Sequence, residues 1–332
     1  MEQYIVRKIT KTIQNKYYHK FYDKRDKEIK DTKYIENITK GLYIPPAYDN
    51  VKINKIKSHK IRAIGYDSKN RPQYIYNKYF IQKQKDKKFN HMVAFGKKFN
   101  TINQKINEDL YSTKDSKEKQ IAIILKLIME CHFRIGNDRY SKTNQSYGTT
   151  TLENRHIKVK GKTIEIDFIG KKKVRNVCTI KHKKVVKSLK EKKRTLKKND
   201  RIFTYRKGHE YFHINSNDVN KYLKKLGKFT AKNFRTWGAN IELIIQLLKN
   251  CKKCEPNTKK NIDSIMKKSI KSVAHKLHNT PSVCKNNYLD PELIRFFTFD
   301  CKNFLNYFYI NKKKSFTKED IYKKYVKFLE SL

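Results

Sequence analysis

The sequence predicts an α+β fold in two parts: a small N-terminal antiparallel β domain over residues 1–82, then a mainly α domain over 83–332 with an inserted β meander. Three observations predict it. Short apolar runs broken by turn residues fill the chain up to about residue 80, helical periodicity takes over after "QKQKDKK", and the stretch 155–180 returns to alternation.

The N-terminal strands come from "YIVRKIT", "KGLYIPPAYDN" and "VKINKIKSHKIRAIGYDSKNRPQYIYN", punctuated by Pro45-Pro46, "YDN" and "DSKNRP". "DSKN" between "IRAIGY" and "PQYIYN" reads as a hairpin turn, which places Tyr74 and Tyr76 on one face of a strand. In "EKQIAIILKLIMECHF", Ile121, Ile124, Leu125, Ile128 and Met129 keep helical spacing, with Ser116 or Asp115 as N-cap. Further helices are predicted at "VNKYLKKLG", "GANIELIIQLLKN", "NIDSIMKKSIKSVAHKL" and "TKEDIYKKYVKFLE". Between them, "RHIKVKGKTIEIDFIGKKKVRNVCTI" alternates on both sides of "KGKT" and of "GKKK", a meander whose turn exposes Lys171, Lys172 and Lys173.

The chain has 332 residues, with 79 Lys+Arg against 31 Asp+Glu, a formal net charge of +48. Such an excess needs a polyanion, either nucleic acid or an anionic membrane surface. With a hydrophobic share of 37% the chain has material for a real core, so it is not a charged tail. No apolar run approaches the ~20 residues of a spanning helix. The N-terminus "MEQYIVRKITK" lacks a signal-peptide core, so an intracellular protein is expected, in nucleoid, viral factory or virion. The six cysteines show no framework spacing, which fits free thiols in a reducing compartment. "CKKC" at 251–254 has ligand spacing but no second Cys or His pair, so no metal is assigned.

Each candidate site residue has a structural explanation when taken singly. Arg134 in "CHFRIGND" ends a helix, with Gly136 as C-cap. Lys171 is a turn lysine; Arg235 in "NFRTWGAN" stacks on Trp237 or pairs with an acid; His278 and Asn279 cap a helix; Tyr288, one of 22 tyrosines, is core.

In combination and order, "FRIGNDRYSKTNQSYGTTTLENRHI", "FIGKKKV", "AKNFRTWGAN" and "NTPSVCKNNY" resemble a type IB DNA topoisomerase of the small, poxvirus-like and bacterial-like kind. The likeness extends to "DSKNRPQYIYNKYFIQKQ" and so covers most of the chain. It implies the catalytic fold shared by tyrosine recombinases and topoisomerases IB, with the N-terminal domain clamping DNA. It further implies that Tyr288 is the nucleophile forming a 3′-phosphotyrosyl link, with Arg134 and Arg235 holding the non-bridging oxygens of the scissile phosphate. Lys171 matches the general acid for the leaving 5′ oxygen, and Lys232 an accessory lysine. Gln73, Tyr74 and Tyr76 match a strand lying in the major groove, and Tyr140 a DNA-contacting tyrosine near the cleavage point. Nine residues before the tyrosine, where viral members usually carry histidine, stands Asn279, as in bacterial-like members; His278 is a lesser candidate. The implied partner is double-stranded DNA, the implied state a monomer, and neither ATP, a cofactor nor a metal is implied.

Physical chemistry supports those roles independently. A free phenol has a pKa of about 10 and needs nearby cations to become a phenolate. Guanidinium meets two oxygens of a developing pentavalent phosphorane in a fixed fork. Lysine suits the proton donor, because neighbouring cations ease release of its proton. Two rivals remain: a tyrosine site-specific recombinase, which generally has His where Lys232 stands and a helical N-terminal domain, and a non-catalytic basic DNA-packaging protein.

Overall fold

Ile5, Val51, Ile53 and Ala63 are fully buried, and each projects from the inner face of one antiparallel sheet. In the computed structural model, which describes residues 3–68, 70–253, 258–309 and 316–332, this sheet belongs to the first of two units, Met1–Lys88 and Phe89–Leu332. Its strands are β1 (Tyr4–Ile13), β2 (Lys16–Tyr22), β3 (Asp49–Asn54), β4 (Ile61–Tyr66) and β5 (Pro72–Tyr76), in the order β2-β1-β3-β4-β5. A helix that the sequence pattern does not predict, α1 (Thr32–Thr39), is capped by Asp31 and lays Ile38 on the same core. "KGLYIPPAYDN" is not a strand until Asp49. Residues 40–48 form a loop held by the buried guanidinium of Arg7, which donates to the carbonyls of Ile44, Pro45 and Tyr48 at 3.3, 2.8 and 2.9 Å. Pro45 and Pro46 have no N–H for a ladder, so side-chain donors take over. At the β4–β5 turn, Asp67 accepts from Arg71 Nε and Gln73 Nε2 at 2.9 and 3.0 Å. Tyr74 and Tyr76 stack 6.3 Å apart on the outer face of β5, an edge strand.

Helix α2 (Lys78–Tyr111) runs through "QKQKDKK", where the change of pattern suggests a break between domains. Lys and Gln are good helix formers, and nothing in that run stops the helix. In the second unit its stripe Met92, Phe95, Phe99, Ile102, Ile106 and Leu110 is buried at helical spacing. Ser116 caps α3 (Lys117–Cys131), accepting from Lys119 N at 3.2 Å, and α3 is buried almost all round. After α4 (Asp138–Asn144) the alternating stretch forms β6 (Ile157–Lys160), β7 (Thr163–Ile169) and β8 (Arg175–Ile180), the expected three-stranded antiparallel meander. There follow α5 (Lys183–Thr195), a β9 (Thr204–Lys207)/β10 (Glu210–His213) hairpin that the sequence pattern does not predict, and α6 (Ser216–Gly227). The chain continues through α7 (Ala231–Lys253), α8 (Lys259–Lys276), α9 (Pro281–Asn287), α10 (Pro291–Phe299), α11 (Cys301–Phe308) and α12 (Lys318–Glu330). Trp237 of α7 is enclosed by Phe95, Phe99 and Tyr325 at centroid distances of 6.0, 5.7 and 5.1 Å, which leaves no face for Arg235 to stack on.

Two expectations need correction. Free cysteines throughout were expected, but Cys131 and Cys178, 47 residues apart, are joined by a disulfide between α3 and β8. Spacing carries no signal for a pair brought together only by the packing of a helix on a sheet. Cys251, Cys284 and Cys301 are buried and not joined in a disulfide, and Cys254 of "CKKC" lies outside the described residues. Arg134 also does not end a helix with Gly136 as its cap. Helix α3 stops at Cys131 because His132 turns left-handed (φ 52°), its N–H bonding to Ile128 O. Among the described residues, no helix is long and apolar enough to cross a membrane.

Candidate active site

Helix α7 supplies the floor of the site. Arg235, one turn into the helix, is 3% exposed, and its Nη2 donates to Leu277 O at 3.2 Å. Its guanidinium carbon lies 5.2 Å from the centroid of the Tyr288 ring. The remaining donors, Nε and Nη1, are buried without a partner among the described residues. Such orphaned donors cost about 1–3 kcal/mol each unless a ligand meets them. Lys232, in the first turn, is exposed.

Tyr288 arrives by a tight connection. Helix α8 ends at Lys276, His278 turns left-handed (φ 53°), and Asn279 N bonds back to Ala274 O at 2.9 Å. Thr280 then caps α9 with Pro281 in its first turn, and Tyr288 closes that short helix. The tyrosine is 9% exposed. Its backbone is pinned by Asn240, a fully buried side chain on α7. Asn240 Nδ2 donates to Tyr288 O at 3.0 Å while its Oδ1 accepts from Asp290 N at 2.7 Å. The helix that carries Arg235 thus also holds the main chain of the tyrosine. Burial by itself raises the Tyr288 pKa. The charges of Arg235 and Arg134, with a smaller contribution from Lys232, outweigh burial and hold the phenol below its ordinary value.

Arg134 stands on a loop fixed from the other side. Its carbonyl accepts from Thr149 N and Oγ1 at 2.8 and 3.1 Å, and Ile135 O accepts from Thr150 N and Oγ1 at 2.7 and 2.8 Å. Gly148 is obligatory there: a Cβ would stand 2.5 Å from Gly136 Cα and 2.7 Å from Arg134 O. Arg134 Nη2 donates to Asn279 Oδ1 at 2.5 Å, while Asn279 Nδ2 is buried without a partner among the described residues. Arg235, beside the Tyr288 ring, and Asn279, bonded to Arg134, therefore both keep unused N–H donors. His278 faces elsewhere. Its ring packs 5.5 Å from Phe133 and reaches the Cys131 backbone carbonyl, and burial followed by the Arg235 charge push its pKa down to about 4.

The structure thus gathers Tyr288, Arg134, Arg235 and Asn279, with Lys232 felt electrostatically. Lys171 stands apart from them. It is exposed on the turn between β7 and β8, where Lys172 and Lys173 have φ of 62° and 58°, and its ammonium has no partner among the described residues. Tyr140 is 54% exposed on α4. In the first unit, Tyr74 and Tyr76 are exposed on β5, and Gln73 is tied to Asp67. Sequence reasoning missed Asn240 and the Thr149–Thr150 anchor. Asn240 was detectable in principle, because asparagine is a poor helix former and sits in the apolar run "GANIELII". No group of three His, Cys, Asp or Glu among the described residues is placed to hold a metal ion.

The family model "Eukaryotic DNA topoisomerase I, catalytic core" matches residues 77–295, and "Bacterial DNA topoisomerase IB, N-terminal domain" matches residues 18–67. The DNA topoisomerase 1B of Acanthamoeba polyphaga mimivirus is 32% identical over 282 residues, covering 83% of this chain and 82% of the relative. DNA topoisomerase I of Monkeypox virus and DNA topoisomerase 1B of Vaccinia virus (strain Copenhagen) are each 27% identical over 280 residues, 79% of this chain and 84% of theirs.

Proposed function

The chain belongs to the type IB DNA topoisomerase family, and on that footing we propose that it relaxes positive and negative supercoils by transient cleavage of one strand, as a monomer. It is an isomerase acting on DNA. The observation that carries the reading is the set of unpartnered donors, Arg235 Nε and Nη1 and Asn279 Nδ2, together with a tyrosine whose pKa is lowered by two arginines.

The chemistry follows from those groups. The Tyr288 phenolate attacks the scissile phosphorus, and negative charge grows on the non-bridging oxygens. Arg134 and Arg235 neutralise it, Asn279 Nδ2 donates to one of the oxygens, and Lys232 adds positive field at the mouth. The 5′ oxygen leaves and takes a proton from Lys171, whose exposed turn closes over the bound strand. The phosphotyrosine conserves the energy of the broken bond, so the downstream duplex swivels under its own torsion and the 5′-hydroxyl reverses the step without ATP. With two guanidiniums on the phosphate, charge neutralisation does not call for a metal ion. The N-terminal β domain clamps the duplex, with Gln73, Tyr74 and Tyr76 in the major groove and Tyr140 near the cleavage point.

The direct test is relaxation of negatively and positively supercoiled plasmid in EDTA without ATP. Loss of both signs of supercoil is expected; tight, salt-sensitive binding without relaxation would return the protein to the packaging class.

Two substitutions probe the parts. Asn279→Ala should slow formation of the covalent adduct on the order of 10²-fold, whereas Asn279→His should keep substantial cleavage, since imidazole restores a donor. Equal adduct rates in wild type and Asn279→Ala would remove Asn279 from the site. Asn240→Ala frees Tyr288 O and Asp290 N from their clamp and should slow single-turnover cleavage roughly 10- to 100-fold at unchanged DNA affinity. A matching loss of affinity would mean that Asn240 supports the fold and not the tyrosine.

A further inference from the structure

A cavity of about 350 Å³ is lined by the two residues of the Cys131–Cys178 disulfide together with His132, His275, His278 and Lys276. The bond joins the two elements that deliver cations to the phosphate. Cys131 is the last residue of α3, three positions before Arg134, and Cys178 lies on β8, the strand leading away from the Lys171 turn. Its Cα atoms are 5.8 Å apart. Resting on the topoisomerase reading, the geometry points to a redox modification site: the Cys131–Cys178 pair exchanges with a low-molecular-weight thiol/disulfide couple, and its state sets the cleavage rate.

A short chain of contacts connects the sulfurs to the chemistry. The Cys131 carbonyl is met by the ring of His278. His278 holds a left-handed backbone, which delivers Asn279 to Arg134 Nη2. On the same turn, His132 buries its ring in the space left by Gly238 of α7, where a Cβ would stand 2.6 Å from His132 Cε1. The disulfide therefore braces the base of the Arg134–Asn279 contact and ties it to the sheet carrying Lys171. Opening the bond leaves α3 packed but frees its last turn from β8. Arg134 and the Lys171 turn are then no longer joined by a covalent strut.

Both cysteines line the cavity. Cys131 is 3% exposed and Cys178 is only partly buried, so a thiolate attacks Cys178 Sγ. The S–S bond breaks, Cys131 leaves as a thiolate and takes up a proton. A second thiol then attacks the mixed disulfide and releases Cys178 as a thiol. The protein cystine gains two electrons and two protons, and two reductant thiols, such as glutathione, become one disulfide. Oxidation by the disulfide form of the same couple runs the steps backwards.

The test uses the full chain purified without reductant. Thiol titration in denaturant should find four of the six cysteines reactive, and all six after dithiothreitol. Single-turnover adduct formation at saturating DNA, poised in glutathione mixtures, should be on the order of tenfold faster in the oxidised form at equal DNA affinity. Cys178→Ser should cleave at the reduced wild-type rate whatever the mixture. Cys131→Ala/Cys178→Ala, which places no hydroxyl in the core, should do the same. Six reactive thiols without reductant, or equal cleavage rates in both states, would overturn the inference while leaving the topoisomerase reading intact. Absence of adduct in both states would overturn the topoisomerase chemistry and this control together, with the thiol count still reporting whether the bond exists.

Discussion

Tyr288→Phe loses plasmid relaxation and the detergent-stable DNA adduct, by at least about 10⁴-fold, while folding and binding DNA as before. The size of the effect follows from chemistry: removing the phenol oxygen removes the atom that bonds to phosphorus, and the 22 tyrosines include no substitute held in this position. Stability should change little. The ring stays packed, and the backbone contacts of residue 288, its N–H to Cys284 O and its carbonyl to Asn240, do not involve the hydroxyl. The measurement is adduct formation on a nicked or suicide duplex, resolved under denaturing conditions. Residual adduct in Tyr288→Phe at even a tenth of the wild-type level would displace Tyr288 as the nucleophile.

Arg235→Gln is expected to lower the cleavage rate on the order of 10³-fold and, in addition, to move its pH dependence. Burial alone raises the phenol's pKa, and the guanidinium beside its ring is the foremost charge opposing burial. Without it the Tyr288 pKa rises. The rate, which climbs with pH as the phenolate forms, should therefore reach its plateau at higher pH than in wild type. A plain fall in rate with an unmoved profile would mean that Arg235 meets the phosphate but does not activate the tyrosine. Arg235→Lys should rescue only part of the loss. An ammonium restores charge but cannot present Nε and Nη1 as a fork, and it is buried where a strongly hydrated ion is costly.

The candidate site was legible only through the likeness of four short motifs to the topoisomerase family, because taken singly each residue has a structural explanation. "FRIGND", "NFRTWG" and "NTPSVCKNNY" each mark a chain reversal or a helix start, and those are decided by Gly, Pro, Thr and Asn within a few residues. What holds the members against one another was not legible. Asn240 reaches 48 residues forward to Tyr288, and Thr149 and Thr150 reach back 15 residues to the Arg134 loop. Those bonds form only when α7, α9 and the loop pack. Helix α1 and the β9–β10 hairpin escaped because their eight and four-plus-four residues carry too little periodicity to stand above noise.

By itself the sequence determined the two-part α+β order and the excess of positive charge that needs a polyanion, because hydrophobic period and charge are local properties; the candidates for attacking and neutralising a phosphodiester came from the likeness of its motifs to the topoisomerase family. Only the tertiary structure decided that Arg134 bonds to Asn279 while His278 turns to Cys131, that Asn240 clamps the tyrosine, and that Cys131 meets Cys178. A one-residue choice between neighbouring side chains depends on a single left-handed backbone angle, and a cross-link over 47 residues depends on which helix packs on which sheet. Neither is encoded in spacing; both are settled when buried groups compete for the same space and the same hydrogen-bond partners.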